Sequence, residues 1–205
     1  MKILNLYAGI GGNRKLWEGH DITAVEYKPE IAKIYQDFFP KDKVIVGDAH
    51  QYLLEHLEEF DFIWSSPPCP SHSRIRNIAG VGRGQNKPIY PDMKLYEEII
   101  FLQQVYNSSG TSFNGKYVVE NVISYYEPLI PPQKFGRHYF WANFLIRPLN
   151  LKTRGHNETL EELAELKGFE GVKDRTLLRN CTEPELGKRI LEYALNPIEV
   201  QGKLL

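Results

Sequence analysis

The sequence has 205 residues, with 25 Lys and Arg against 26 Asp and Glu and a formal charge of −1. An apolar share of 42% excludes whole-chain disorder, and the length fits one domain, or one with a small appendage, able to bury about 70% of its unfolded surface. Two cysteines, Cys69 and Cys181, exclude a disulfide framework and point to a reducing compartment, the cytoplasm. No run approaches the ~18 apolar residues of a membrane span, and Met1-Lys2-Ile3 leads into a strand-like stretch with no signal-peptide pattern.

Taken in chain order, Lys2–Tyr7, Ile22–Glu26, Lys43–Val46 and Phe60–Ser65 read as short buried strands rich in Ile, Val and aromatics. Pro29–Phe39 has Ile31, Ile34, Tyr35 and Phe38 at helical spacing with proline in the first turn, and Gln51–Leu57 is a shorter helix. Strands alternating with helices imply a parallel sheet with right-handed crossovers. Ser66–Pro91 has little periodicity and reads as a functional loop or a disordered one. A helix resumes at Asp92 with Leu95, Ile99, Leu102 and Tyr106 on one face, then Lys116–Glu120 is a strand. Arg137–Ile146 reads as a strand or hairpin. Thr159 and Glu162 form a capping box for a small helix whose apolar residues are Leu160, Leu163 and Leu166. The last helix starts near Thr182 and buries Leu186, Ile190 and Tyr193.

Two constellations carry chemistry. The first is Asn5-Leu6-Tyr7-Ala8-Gly9-Ile10-Gly11-Gly12-Asn13, a glycine-rich loop between the first strand and an expected short helix, suited to close approach of an anionic ligand. Glu26 ends the second strand and Asp48 the third, so two carboxylates face one crevice, as a nucleoside ligand or as helix caps would require. The second is Ser66-Pro67-Pro68-Cys69-Pro70, a thiol bracketed by prolines just past the fourth strand. Glu120 ends the neighbouring strand, and a Cys and a Glu so placed suit a nucleophile and a proton donor acting on one substrate. A lone cysteine is otherwise more often a small buried hydrophobe.

In order and spacing these residues resemble the DNA cytosine-5 methyltransferase family, from residue 4 to residue 196. Tyr7-Ala8-Gly9-Ile10-Gly11-Gly12 is similar to its first motif, and Glu26 and Asp48 to the second and third. Pro68-Cys69 matches the catalytic Pro-Cys, Glu120-Asn121-Val122 the Glu-Asn-Val signature, and Gln133–Arg137 the Gln-x-Arg-x-Arg motif with Arg137 as its second arginine. Arg179-Asn180-Cys181-Thr182 and the last helix resemble the final motif. The resemblance implies an α/β Rossmann-like methyltransferase fold, a mostly parallel twisted sheet with helices on both faces. It implies S-adenosyl-L-methionine as cofactor, held by Tyr7, Gly9, Gly11, Gly12, Glu26, Tyr27, Asp48, Ala49, Pro67 and Asn180. Cys69 would attack C6 of a flipped cytosine in duplex DNA, Glu120 would hold and protonate N3, and Arg137 would contact O2. Ser73, Arg74, Arg76 and Asn121 would complete the substrate contacts.

The implied layout is a catalytic and cofactor domain at 1–146, a reduced target-recognition segment at 147–178, and a C-terminal motif at 179–205 that packs back. Pro70 stands where a glutamine usually follows the cysteine, and Phe135 replaces the first arginine. The short segment predicts a short recognition sequence or a specificity partner. Small phage-encoded members share this compact layout, so the setting is a bacterial or phage-infected cell. Phe62–Pro91 and Pro128–Asn157 together hold nine basic residues and no acid, so the balanced total does not exclude nucleic acid. Four other readings are weaker: an amino-methyltransferase on Ser66-Pro67-Pro68, a zinc deaminase on His56, Glu58, Cys69 and His72, a tRNA cytosine-5 methyltransferase, and a non-catalytic nucleic-acid-binding subunit.

Overall fold

A computed structural model describes residues 1–74, 89–107, 110, 112–147 and 158–196. Its strands are β1 (Lys2–Leu6), β2 (Asp21–Glu26), β3 (Lys43–Val46), β4 (Phe62–Ser65), β5 (Lys116–Val122), β6 (Gln133–Phe135) and β7 (His138–Ala142). They form one sheet in the order β3-β2-β1-β4-β5-β7-β6. β1 to β5 are parallel, and β7 runs antiparallel to both its neighbours. The helices are α1 (Pro29–Phe38), α2 (Ala49–His56), α3 (Lys94–Asn107), α4 (Leu160–Lys167), α5 (Arg175–Asn180) and α6 (Pro184–Leu195).

Strand side chains alternate between faces, and both faces are covered. Leu4, Leu6 and Ile63 pack with Leu53 of α2 and with Leu95, Ile99 and Leu102 of α3. Ile3, Phe62, Trp64 and Val118 project the other way, onto Trp17 and onto Leu186 and Ile190 of α6. A third cluster joins Ala8 and Ile10 of the first loop to Tyr35 and Phe39, and to Leu163, Ala164 and Phe169. The α/β class and the mostly parallel sheet are therefore as expected.

Three features differ from expectation. No helix follows the glycine-rich loop. The chain instead makes successive tight turns, with Gly11 N–H donating to the Ala8 carbonyl (2.9 Å) and Trp17 N–H to that of Arg14 (2.9 Å). Tyr7, Gly9 and Gly11 have φ of 54°, 55° and 86°, and left-handed residues at this spacing prevent a helical run.

Within 147–178, the described residues pack against α1 and the first loop, a contact not expected from the sequence. The Thr159 capping box forms as read, with both reciprocal hydrogen bonds (2.7 and 3.1 Å), and Gly168 ends α4 at φ 68°. Leu163, Ala164, Phe169 and Val172 then bury against α1 and the first loop. Only residues 148–157 of that segment lie outside the description.

α5 is the third difference, since six residues capped by Asp174 are too few for a helical period to register. Smaller shifts are at the edges. The last helix starts at Pro184, α3 at Lys94, and Phe60 sits in a turn before β4. Tyr193, expected to be buried, is only half-buried.

Candidate active site

Sheet order reverses between β1 and β4, so a crevice opens outside the carboxyl ends of these strands. The loops after β1, β2, β3 and β4 border it, and they carry the predicted cofactor residues and the cysteine. Gly9 N–H donates to Glu26 Oε2 (2.9 Å), and Lys28 N–H to Glu26 Oε1 (3.0 Å), so the carboxylate is fixed by backbone. A methyl group added at Gly9 meets nothing within 4 Å, so the loop is open there. Tyr27 is 73% exposed and Val46 is exposed at the next strand end, two apolar surfaces beside the acids.

Asp48 caps α2, accepting from His50 N–H (2.8 Å) and Gln51 N–H (3.2 Å). The Gln51 and His50 amides hold its carboxyl below the usual range. Its other oxygen lies 3.8 Å from Lys94. Ala49 and Pro67 are buried. Gly11 and Gly12 have a different reason to be glycine. A Cβ at Gly11 would lie 2.4 Å from the Phe39 ring, and one at Gly12 would lie 2.1 Å from Cys181 Sγ. Both permit close packing on the side of α1 and of Cys181. Asn180 is exposed at the end of α5, and its neighbours Cys181 and Thr182 are what reach the loop.

A buried acid that the sequence reading passed over ties the two loops together. Glu98 of α3 has no exposed surface, and it accepts from Tyr7 Oη, from Ser65 Oγ (2.6 Å) and from His50 Nδ1 at 3.1 Å. Burial, then the Glu98 charge, push the Tyr7 phenol above its ordinary value. The signal was present: Glu98 stands on the same helix face as Leu95 and Leu102, where a carboxylate must have partners.

Cys69 is half-buried at the start of a turn in which His72 N–H and Ser73 N–H both donate to its carbonyl (3.0 and 3.1 Å). The turn is pinned by Tyr125 N–H to the His72 carbonyl (3.1 Å) and by a Ser73–Ser124 bridge. Burial, then the charge of Glu120, raise the Cys69 thiol above its ordinary value, so nucleophile and acid lie within electrostatic reach. Glu120 of β5 is buried. Its Oε1 meets His138 Nδ1, and its Oε2 accepts from Ser66 Oγ (2.9 Å), which in turn accepts from Trp64 Nε1 (2.7 Å).

Arg137, expected beside the base, is exposed in the Gly136-Arg137 turn, and His138 occupies the position against Glu120. Asn121 turns inward: its amide donates to the Pro67 carbonyl (2.9 Å) and holds the cysteine loop on β5. Arg74 is exposed at the loop, and Arg76 lies outside the described residues.

His72 itself is buried. Its Nδ1 pairs with Tyr126 Oη (2.6 Å), and its Nε2 has no partner among the described residues. Burial holds its pKa below the ordinary value, as it does for His20. Below about pH 6.5 the unfolded chain takes up protons that the folded state refuses, so stability falls with pH there. The thermal midpoint is expected to decline from about pH 6.5 downward, with a shallower slope in His72→Gln. An unchanged slope in that variant would remove His72 as a cause.

Among the described residues no three His, Cys, Asp or Glu groups gather as metal ligands, so His56, Glu58, Cys69 and His72 do not make a zinc site. No described helix is long and apolar enough to cross a membrane. Residues 1–100 match the family model described as C-5 cytosine-specific DNA methylase. A Type II methyltransferase, M.Bsp6I, of Bacillus sp. (strain RFL6) is 26% identical over 186 residues, covering 84% of this chain. The chain spans about half of that relative's length, 53%. Among solved structures, a triple mutant of Spodoptera frugiperda DNMT2 aligns at 24% identity over 59% of this chain and 35% of its own, with a TM-score of 0.37. A hypothetical protein of Thermus thermophilus aligns at 18% identity over 69% and 73%, with a TM-score of 0.44. Over residues 1–100, just under half of its length, the chain is thus similar to the C-5 cytosine-specific DNA methylase family.

Proposed function

We propose that the protein methylates C5 of cytosine in DNA, using S-adenosyl-L-methionine and a covalent adduct between Cys69 and C6 of a flipped base. The observation that carries this reading is the pairing of Cys69 with Glu120 at the ends of adjacent parallel strands, with Glu120 held on both oxygens. Neither a binding subunit nor an amino-methyltransferase has a chemical use for that pair.

The cofactor fits the other half of the crevice. Gly9 leaves room for its methionine end, Glu26 is set to accept from ribose hydroxyls, and the exposed Tyr27 ring and the Asp48 carboxylate suit an adenine. The bound cofactor supplies an electrophilic methyl group. Cys69 Sγ adds to C6, and Glu120 holds N3 and gives it a proton, which makes C5 nucleophilic. Once C5 is methylated, its proton leaves to water, the S–C6 bond breaks, the thiolate departs and N3 returns its proton to Glu120. Flipping is required because C5 and C6 are shielded in the stack. Arg74 and Arg76, in an acid-free stretch, are assigned to phosphates, and Ser73 to the flipped nucleotide. With Leu163, Ala164 and Phe169 committed to the core, base reading falls to a short stretch or to a specificity partner.

The test is a duplex carrying 5-fluorocytosine, which blocks the final proton loss. Wild type should form a cofactor-dependent covalent adduct, and Cys69→Ser should form none. Transfer from labelled cofactor to folded RNA but not to duplex DNA would move the substrate to RNA.

A further inference from the structure

We propose that His138, and not Arg137, is the residue that positions Glu120 against the base; the proposal rests on the function proposed above and names a part of that same site. In the antiparallel β5–β7 pair, Glu120 lies opposite Phe140 and Val122 opposite His138. Side chains two apart on a strand share a face, so His138 is the diagonal neighbour of Glu120, at a separation an imidazole spans. The two-residue turn at Gly136, with φ 57°, sets this register and leaves Arg137 in the turn, exposed to solvent. A register set by the turn thus puts a histidine where sequence similarity put an arginine.

The carboxylate of Glu120 is otherwise free to rotate about its last bond. Ser66 Oγ fixes Oε2, and Ser66 is itself fixed by the buried Trp64 indole N–H. His138 Nδ1 fixes Oε1. Each carboxylate oxygen keeps a second lone pair, so both can be held and still face the N3 edge of a cytosine. The His138 side chain is 21% exposed against 8% for Glu120, so the pair is shielded yet open on one side. A charge-assisted contact of this kind is strong and directional, as orientation of an acid requires. His138 acts through Glu120 and is a positioning residue.

The experiment compares full-length His138→Ala, His138→Asn, His138→Gln and Arg137→Ala. It reads kcat and KM for methyl transfer to duplex DNA, 5-fluorocytosine trapping rate, cofactor Kd and thermal midpoint. His138→Ala should lower kcat and trapping about 10²-fold, with cofactor Kd within about threefold. His138→Asn, whose amide N–H falls close to the lost Nδ1, should recover at least a tenth of the wild-type rate. His138→Gln, one bond longer, should recover less. Arg137→Ala should act mainly on KM and cost less kcat than His138→Ala. If Arg137→Ala costs more kcat, or if His138→Asn folds normally and is no better than His138→Gln, the assignment is wrong. Should His138→Ala fail to fold, the Asn and Gln variants decide by the same ranking. A wild type that traps and methylates while ignoring changes at His138 overturns this inference alone. A wild type inert on cytosine in both DNA and RNA overturns the proposed function itself.

Discussion

Glu120→Gln is expected to make Cys69 more reactive toward iodoacetamide while lowering methyl transfer by about 10³-fold. The two effects have one cause. The thiol is held above its ordinary pKa first by burial and then by the negative charge of Glu120. Removing that charge lowers the pKa and raises the thiolate fraction at pH 8, and the thiolate is the alkylated species. The same change deletes the group that protonates N3. Labelling reports cleanly on Cys69, because Cys181 is the second cysteine and burial pushes its thiol up to about 12. Cys69→Ser, with a far weaker nucleophile, should lose at least about 10³-fold of activity. Slower alkylation in Glu120→Gln than in wild type would sink the juxtaposition of the two groups.

Glu98→Ala should destabilise the fold by about 2–4 kcal/mol, which for a chain of this size lowers the thermal midpoint by roughly 5–15 °C. The carboxylate is wholly buried and serves three donors, the Tyr7 and Ser65 hydroxyls and the His50 ring. Truncation leaves those groups short of a partner and opens a gap between α3 and the ends of β1 and β4. Glu98→Gln keeps the volume and one acceptor, and should cost less than half as much. The effect should extend to cofactor affinity, since Tyr7 holds a left-handed backbone at the entrance of the glycine loop. A midpoint within about 2 °C of wild type in Glu98→Ala would show that water or rotated hydroxyls replace the carboxylate.

The parts of this molecule that were legible in the sequence are those governed by periodicity and by short-range chemistry. β1, β2, β3 and β4 announce themselves by apolar runs between turn residues, and α4 by a capping box whose two hydrogen bonds form as read. Cys69 and Glu120 were legible as candidates from their places at the ends of apolar runs, and the structure brings them within electrostatic reach. What was not legible depends on turn geometry or on distant partners. The absent helix after β1 follows from three left-handed residues, of which only the glycines advertise the possibility. That His138 and not Arg137 meets Glu120 follows from hairpin register, which slips by one residue with the length of the turn. Glu98 finds its partners on three other elements, and no local pattern records them. The burial of residues 163–172 against α1 likewise rests on a contact between elements distant in sequence, which no local pattern records.

The seat of the first loop has a bearing on how the chain reaches its folded state. The Trp17 indole donates to the carbonyl of Gly187 (3.1 Å), across 170 residues of sequence. A Cβ at Gly187 would come within 2.1 Å of the Asn13 carbonyl oxygen, so α6 lies in direct contact with that turn. During synthesis the loop leaves the ribosome long before α6, the helix on which it packs. Contacts so far apart in sequence carry the largest closure entropy and form late. The nascent protein therefore carries its first loop without these contacts until α6 has been made.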